Sequence, residues 1–452
     1  MNIKTTNLKY RYTLPENIRN VFRWDPQSIL RDRDFLLIWF SQISTLIGGG
    51  ILGLAVVFLA DTGELLGSGE SVSGSSMGLV ILLNNLPAFV IAFIAGVLAD
   101  WFNRKTIMLV SNLFRFAMLF VFLIFAGWHF ATFAYIVIFF ASAAKQIFIP
   151  AEASIIPDIV KKGNILTART LFNLTEYVTY LLGFIIAGPL LSLLGPDLLI
   201  IVLMSMFLFS SLVLFFVRVP QREYKVVSVK KYMSLVKDFF SSFMEGIVYV
   251  TRDKIQRIVL MHNLLSQSFL YIFIALIFKL GSFLIGLTPT NIGIVSVLPL
   301  GIGISISLFL MNKKYQDTKR LKLSSVGVLI EAIAFSILSI AALIRWNKLI
   351  LLGVSTDTSV YGITSAGVVM IGLGFPLLLT PAQTLVQEHT EQGFLGRVFG
   401  VWSALSQALA SIPAVIIGYA ADYVIGVPTT LIWIASFAFI YYFFFSRYRE
   451  LG

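Results

Sequence analysis

The sequence predicts an all-α polytopic membrane protein, with twelve transmembrane helices in two pseudo-symmetric six-helix bundles. Three observations predict it. Of 452 residues, 58% are hydrophobic and only 13% charged, with mean hydropathy +0.88, an apolar excess that no soluble core of this size accounts for. About a dozen apolar runs, each near the roughly 20 residues that a bilayer core demands, fit between Phe35 and Ser446. The Lys and Arg residues lie mostly between those runs and alternate from loop to loop.

The amino-terminal arm, residues 1–34, carries Lys4, Lys9, Arg11, Arg19, Arg23, Arg31 and Arg33, whereas the stretch 61–75 has acids and no Lys or Arg. The positive-inside rule therefore puts the arm in the cytoplasm. It holds no apolar core of a cleavable signal, so insertion is expected to use the first transmembrane helix. The first bundle is expected over residues 35–217. Its first helix, near 33–60, contains Gly48, Gly49 and Gly50, which permit close packing or unwinding. The second, 76–99, holds Asn84, Asn85 and Pro87, which should face protein rather than lipid. The third, 106–127, holds Arg115; the fourth, 130–150, carries Lys145 and Gln146 near its end. The polar stretch 151–173 reads as a cytoplasmic loop, the fifth helix runs to Leu194 with Glu176 inside it, and the sixth spans 198–217.

Residues 218–257 contain nine Lys and Arg and no run able to cross. They read as a cytoplasmic linker with an amphipathic surface helix near 232–250. The second bundle, 258–446, is expected to hold helices near 258–287, 291–311, 323–344, 361–386, 398–422 and 428–446, before a cytoplasmic tail, 447–452. The halves echo one another, as repeats in transporters do. Pro150-Ala151-Glu152 answers Pro381-Ala382-Gln383, and Arg115 in the third helix answers Glu331 in the ninth.

Between the second and third helices stands GVLADWFNRK, with Gly96, Asp100, Arg104 and Lys105 in the spacing G-x-x-x-D-x-x-x-R-[RK]. This loop resembles the signature loop of the major facilitator superfamily. With LRDRDFLLIWFSQIS, IPAEASIIPDIV and GRVFGVWSAL, the chain looks like the branch that includes the enterobactin exporter and the macrolide-efflux permeases. The resemblance implies a central cavity between two halves and export of bulky amphiphilic compounds in exchange for protons. It also implies that Asp100 approaches the amino terminus of the eleventh helix in one conformational state. There a carboxylate meets unsatisfied N–H groups and the positive dipole end. Two departures stand out. Where the branch commonly has an Asp in the first helix, this chain has Gly49, and the fifth-helix pattern G-x-x-x-G-P appears with an extra residue, as Gly183 followed by Gly188-Pro189.

Charges within the membrane demand a partner or water. Arg115 is expected as an internal ion-pair anchor or an anion contact, and Glu331 as its structural echo. The resemblance puts third helices outside the cavity, which favours the anchor. Glu176 is the candidate for proton or substrate binding, because a buried carboxyl exchanges a proton readily. Tyr177, Tyr180, Asn263, Gln267 and Gln407 are candidates to line the same cavity. The chain has no cysteine and three scattered histidines, so thiol chemistry, a metal centre and an enzyme site are not expected. No filter or charge ring suggests a channel. The net charge of +11 follows membrane topology and does not point to nucleic acid. The expected function is secondary active transport by alternating access, as proton-coupled efflux of a hydrophobic or amphiphilic small molecule of drug, macrolide or siderophore type. The expected partners are that substrate, protons and the lipid bilayer. No cofactor is expected, and the protein is expected to be a monomer in the plasma membrane with both termini cytoplasmic. The alternative is a transporter-like lipid or lysolipid mover, or a non-transporting sensor or scaffold.

Overall fold

A computed structural model describes residues 30–62, 73–125, 130–160, 165–219, 241, 244–285, 289–314, 319–347, 356–390 and 395–448. The first bundle holds α1 (Arg33–Thr62), α2 (Gly74–Trp101), α3 (Arg104–Phe125) and α4 (Phe130–Ile159). A helical stretch Ile165–Phe215 follows, divided at Gly195 into α5 (165–194) and α6 (196–215). Gly195 has φ 71°, a left-handed conformation that glycine adopts without the Cβ penalty, so two spans turn back on each other with almost no loop. The second bundle holds α7 (Lys254–Leu280), α8 (Pro289–Lys314), α9 (Arg320–Asn347), α10 (Thr356–His389), α11 (Leu395–Tyr419) and α12 (Gly426–Phe445). Both α7 and α11 run on into π-turns, Gly281–Ile285 and Ala420–Val424. Residues 244–252, in the expected surface helix, are helical. Among the described residues, nine helical segments are long and apolar enough to cross a membrane, and α8 contributes a shorter apolar stretch.

One expectation is corrected. The stretch 151–173 is not a loop throughout, because α4 continues through Pro150 to Ile159 and α5 begins at Ile165. Similarly α10 passes Pro381 and ends at His389. A proline removes one helical hydrogen bond and bends the axis, but packing can outweigh that loss. Here Ala151, Ile155 and Ile156 continue the buried face of α4 against Phe35, Ile107 and Phe172.

Within the first bundle α1 packs on the α5–α6 hairpin and on α4, while α3 packs on α4 and α6. Within the second, α9 packs on α10 and α12, and α7 on α10 and α11. Across the bundles α2 meets α11 and α7, and the α5–α6 hairpin meets α8. One end of the molecule carries Arg33, Arg104, Lys105, Arg218, Lys254, Arg320, Lys322 and Arg447, and is called here the basic end. The opposite end, with Gly74, Gly195, Lys279 and Asp422, is the far end. A single apolar cluster joins the two bundles through the middle and far end, with Met77, Val80, Phe269, Phe273 and Ala414 among its members. Towards the basic end the described core divides. Phe35, Phe148, Ile155 and Phe172 form one cluster in the first bundle, and Val259, Leu321, Val386 and Trp402 another in the second.

Candidate functional site

Buried polar side chains build the site from the back. On α1, α3 and α6, Ser41, Thr45, Asn112 and Ser210 form one hydroxyl–amide network, with Asn112 donating to Thr45 at 3.1 Å and to Ser210 at 2.7 Å. Because each polar group is answered by another, the cluster can sit between helices without the desolvation cost of orphaned groups. The remaining capacity of Asn112 holds Arg115, whose Nη1 donates to Asn112 Oδ1 at 3.2 Å. The guanidinium lies 5.5 Å from the ring centres of both Phe148 and Phe207, a desolvated cation–π arrangement. Among the described residues its Nε and Nη2 have no hydrogen-bond partner, and neither has Oε1 of Glu152.

These groups face a cavity of about 50 Å³, room for about four waters at roughly 10–15 Å³ each. It is lined by Gly49 and Leu52 of α1, Asn84 of α2, Arg115 of α3, Lys145, Phe148 and Glu152 of α4, Glu176 of α5 and Phe207 of α6, with several others. Ile138, Ser142, Lys145, Phe148 and Glu152 recur at helical spacing, so one face of α4 supplies a cation and a carboxylate two turns apart. Ser142 donates to Asn84 at 3.1 Å, fixing α4 against α2. The electrostatics alternate. Arg115 attracts Glu152, Glu152 and Glu176 repel one another, and Glu176 attracts Lys145. At Gly49 an added Cβ would meet nothing within 4 Å. The wall of the cavity is therefore open where the resembling branch has its acid.

The expected site residues separate. Glu176 lines this cavity, which residues of the first bundle alone enclose, and so does Arg115. Arg115 is anchored, by Asn112 and two aromatic rings. Asn263, Gln267 and Gln407 do not line the cavity with Glu176. Asn263 instead donates to Ser406, joining α7 to α11 within the second bundle. Glu331 is fully buried beside Gly374 and, among the described residues, neither of its carboxyl oxygens has a hydrogen-bond partner, so it does not reproduce the setting of its echo. The side chains of Asp100, Tyr177 and Tyr180 lie outside the described residues. Gly96 falls within α2. Arg104 donates to Ser154 O at 2.5 Å and to Asp158 at 2.6 Å, while Lys105 donates to Phe215 O and Val217 O at 2.7 and 2.8 Å. All four bonds stay within the first bundle. The sequence reading missed Glu152 and gave Lys145 no role. The signal that would have found both is the recurring α4 face.

The comparisons with known proteins agree with this architecture. The chain is 26% identical over 231 residues to the "Uncharacterized MFS-type transporter YkuC" of Bacillus subtilis (strain 168), a match covering 50% of this chain and 52% of the relative. The match thus spans about half the length of that relative. Among solved structures it is similar to the POT family transporter PepTSo, with TM-score 0.68, 12% identity and coverage of 93% of this chain and 99% of that one. The nucleoside transporter NupG gives TM-score 0.63 at 13% identity, covering 92% and 99%. A bacterial homologue of the human lysosomal transporter Spinster, in an inward-facing and unoccupied conformation, gives 0.64 at 14%, covering 92% and 97%. At such identities these likenesses show the fold. Residues 38–415 match the model of the Major Facilitator Superfamily, and the chain belongs to that superfamily.

Proposed function

We propose that the protein is a secondary active transporter of the plasma membrane, in which two six-helix halves rock around a central site and protons supply the coupling. The observation that carries this reading is the grouping of Arg115, Lys145, Glu152 and Glu176 around one cavity within a membrane bundle. Charges at that depth are costly and gather where ions or substrates move. Two carboxylates that repel across a small cavity, each answered by a different cation, hold a proton occupancy that any disturbance of the cations changes. A substrate that contacts Lys145 would thereby reset Glu176, and Glu152 behind it would take the proton onward. This extends the expectation for Glu176 from a lone acid to a pair.

By the positive-inside rule the basic end is cytoplasmic, as are both termini. A core that, among the described residues, is shared between halves at the far end and divided at the basic end supports a state that opens to the cytoplasm. The substrate is read as an amphiphilic organic molecule because the resemblance to the exporter branch implies one. Export is the direction implied by resemblance. The test is substrate-stimulated proton movement in proteoliposomes, with macrolides, dyes, siderophores, lysolipids, nucleosides and dipeptides offered in turn. The expected result is flux triggered by one class in the native protein and lost in Glu176→Gln and in Glu152→Gln with binding retained. Undiminished flux in both folded variants would remove the carboxylate pair from the coupling.

A further inference from the structure

At the far end, Asp422 belongs to the π-turn that follows α11, and its side chain is 3% exposed. It reaches across to the other bundle. Gly74 N donates to Oδ1 at 3.2 Å and Ser75 N to Oδ2 at 2.7 Å. Those are first-turn amides of α2, which have no acceptor within their own helix. Lys279, in the last turn of α7, pairs with Asp422 from the side of its own bundle. A buried carboxylate is thus answered by one cation and two N–H groups, at a helix end whose dipole also favours negative charge. Backbone packing brings the partners together. A Cβ on Gly418 would strike Gly74 O, one on Gly74 would lie 3.2 Å from Gly418 Cα, and one on Gly78 would lie 2.7 Å from Ala414 O. About three turns further along α2, Tyr271 of α7 donates to Asn85 at 3.4 Å.

We propose that Asp422, held by Lys279 and seated on the amino terminus of α2, is a latch that keeps the far end of the transporter closed and is released when that end opens. The two halves cannot part at this end with the contact intact, because its acceptor and its N–H donors belong to different bundles. Separation would leave the carboxylate with Lys279 alone and return the Gly74 and Ser75 amides to water. Unlike a hydrophobic contact, which weakens gradually with distance, charge-assisted hydrogen bonds of this kind are lost within about an ångström. The wide π-turn suits the role, since it carries the chain out of the regular register of α11 and aims Asp422 sideways at its neighbour. The proposal rests on the reading that the halves rock.

The absence of cysteine from the chain permits a direct test by spin labelling. One label pair, at Leu193→Cys and Trp346→Cys, spans the two bundles at the far end, both positions being exposed. A second, at Phe102→Cys and Met261→Cys, spans them near the basic end, again at exposed positions. In Asp422→Asn the far-end pair is expected to shift towards longer distances, with the open-to-closed ratio rising on the order of tenfold. Lys279→Met, which keeps the carboxylate, should give a smaller shift in the same direction, and it carries the test if Asp422→Asn does not fold. Asp422→Glu should restore part of the short-distance population. An unchanged far-end distribution in folded Asp422→Asn, or in folded Lys279→Met where the first variant cannot be prepared, would overturn the latch. Far-end opening without shortening of the basic-end pair would support the latch and remove the rocking of the halves.

Discussion

The two ends of the molecule are held together differently. At the far end the bundles share one apolar core, their backbones touch through Gly74, Gly78 and Gly418, and a carboxylate of one half sits on a helix of the other. Towards the basic end the described apolar clusters are separate, and the strong polar ties, Arg104 to Asp158 and Lys105 to Phe215 O, stay inside the first bundle. Interactions within a bundle set its stability and leave its position relative to the other bundle free. Interactions between bundles set the conformational balance. The described contacts therefore stiffen the first half towards the basic end and join the two halves at the far end.

The largest effect should come from the point where the two apolar regions of the first bundle adjoin. Arg115 touches Phe148 of the basic-end cluster and Phe207 of the shared core. Arg115→Met removes the guanidinium that Asn112 and two aromatic rings hold and that attracts Glu152, and should destabilise the protein by about 2–5 kcal/mol, read as a lowered thermal midpoint in detergent. The double variant Arg115→Met/Glu152→Gln should recover the part of that loss that comes from Glu152. If it recovers none, the cation's role lies in its contacts with Asn112 and the rings rather than in its attraction to Glu152. Next, Gly78→Leu should break the joined end, since a Cβ alone would lie 2.7 Å from Ala414 O and 2.8 Å from Val415 Cα. A cost of about 1–3 kcal/mol in the closed state only would displace the far-end distances towards opening. A uniform loss of stability with no such displacement would mean that α2 and α11 yield without parting.

Arg104→Leu sharpens the contrast. Its pair with Asp158 is largely buried, at 14% and 11% side-chain exposure, and its loss should cost about 1–3 kcal/mol of stability without moving the inter-bundle distances. The smallest effect belongs to Arg320→Ala, whose pair with Glu388 is 3.5 Å long and exposed. It should change the thermal midpoint by less than about 1 kcal/mol equivalent. Arg320–Glu388 stands at the start of α9 and the end of α10, much as Arg104–Asp158 stands at the start of α3 and the end of α4. A large effect there would mean that the second half is stiffened at its basic end as strongly as the first.

Helix number was legible because it rests on hydropathy within short windows. The continuation of α4 past Pro150 was not, since it depends on Ala151, Ile155 and Ile156 finding a buried neighbour. Glu176 was legible as an acid inside a helix. Its company was not, because Arg115, Glu152 and Glu176 come from three helices and meet only through the bundle. Lys145 and Glu152 left a faint trace in their spacing. Asp422 left none, its partners Gly74 and Ser75 lying almost the whole chain away.

Gly49 gives the site a capacity that it does not use. Its missing side chain looks into open space on the cavity wall, and a single base change can turn a glycine codon into one for aspartate. Gly49→Asp would then add a third carboxylate with no steric obstacle and no third cation to answer it. Under proton coupling, the acid would bring a further proton into each cycle. Each proton moved across 100 mV is worth about 2.3 kcal/mol, so the attainable substrate gradient would steepen about fiftyfold, at the expense of a slower release step. Coupling stoichiometry would in that case be adjustable at one position of α1 without rebuilding the helices around it.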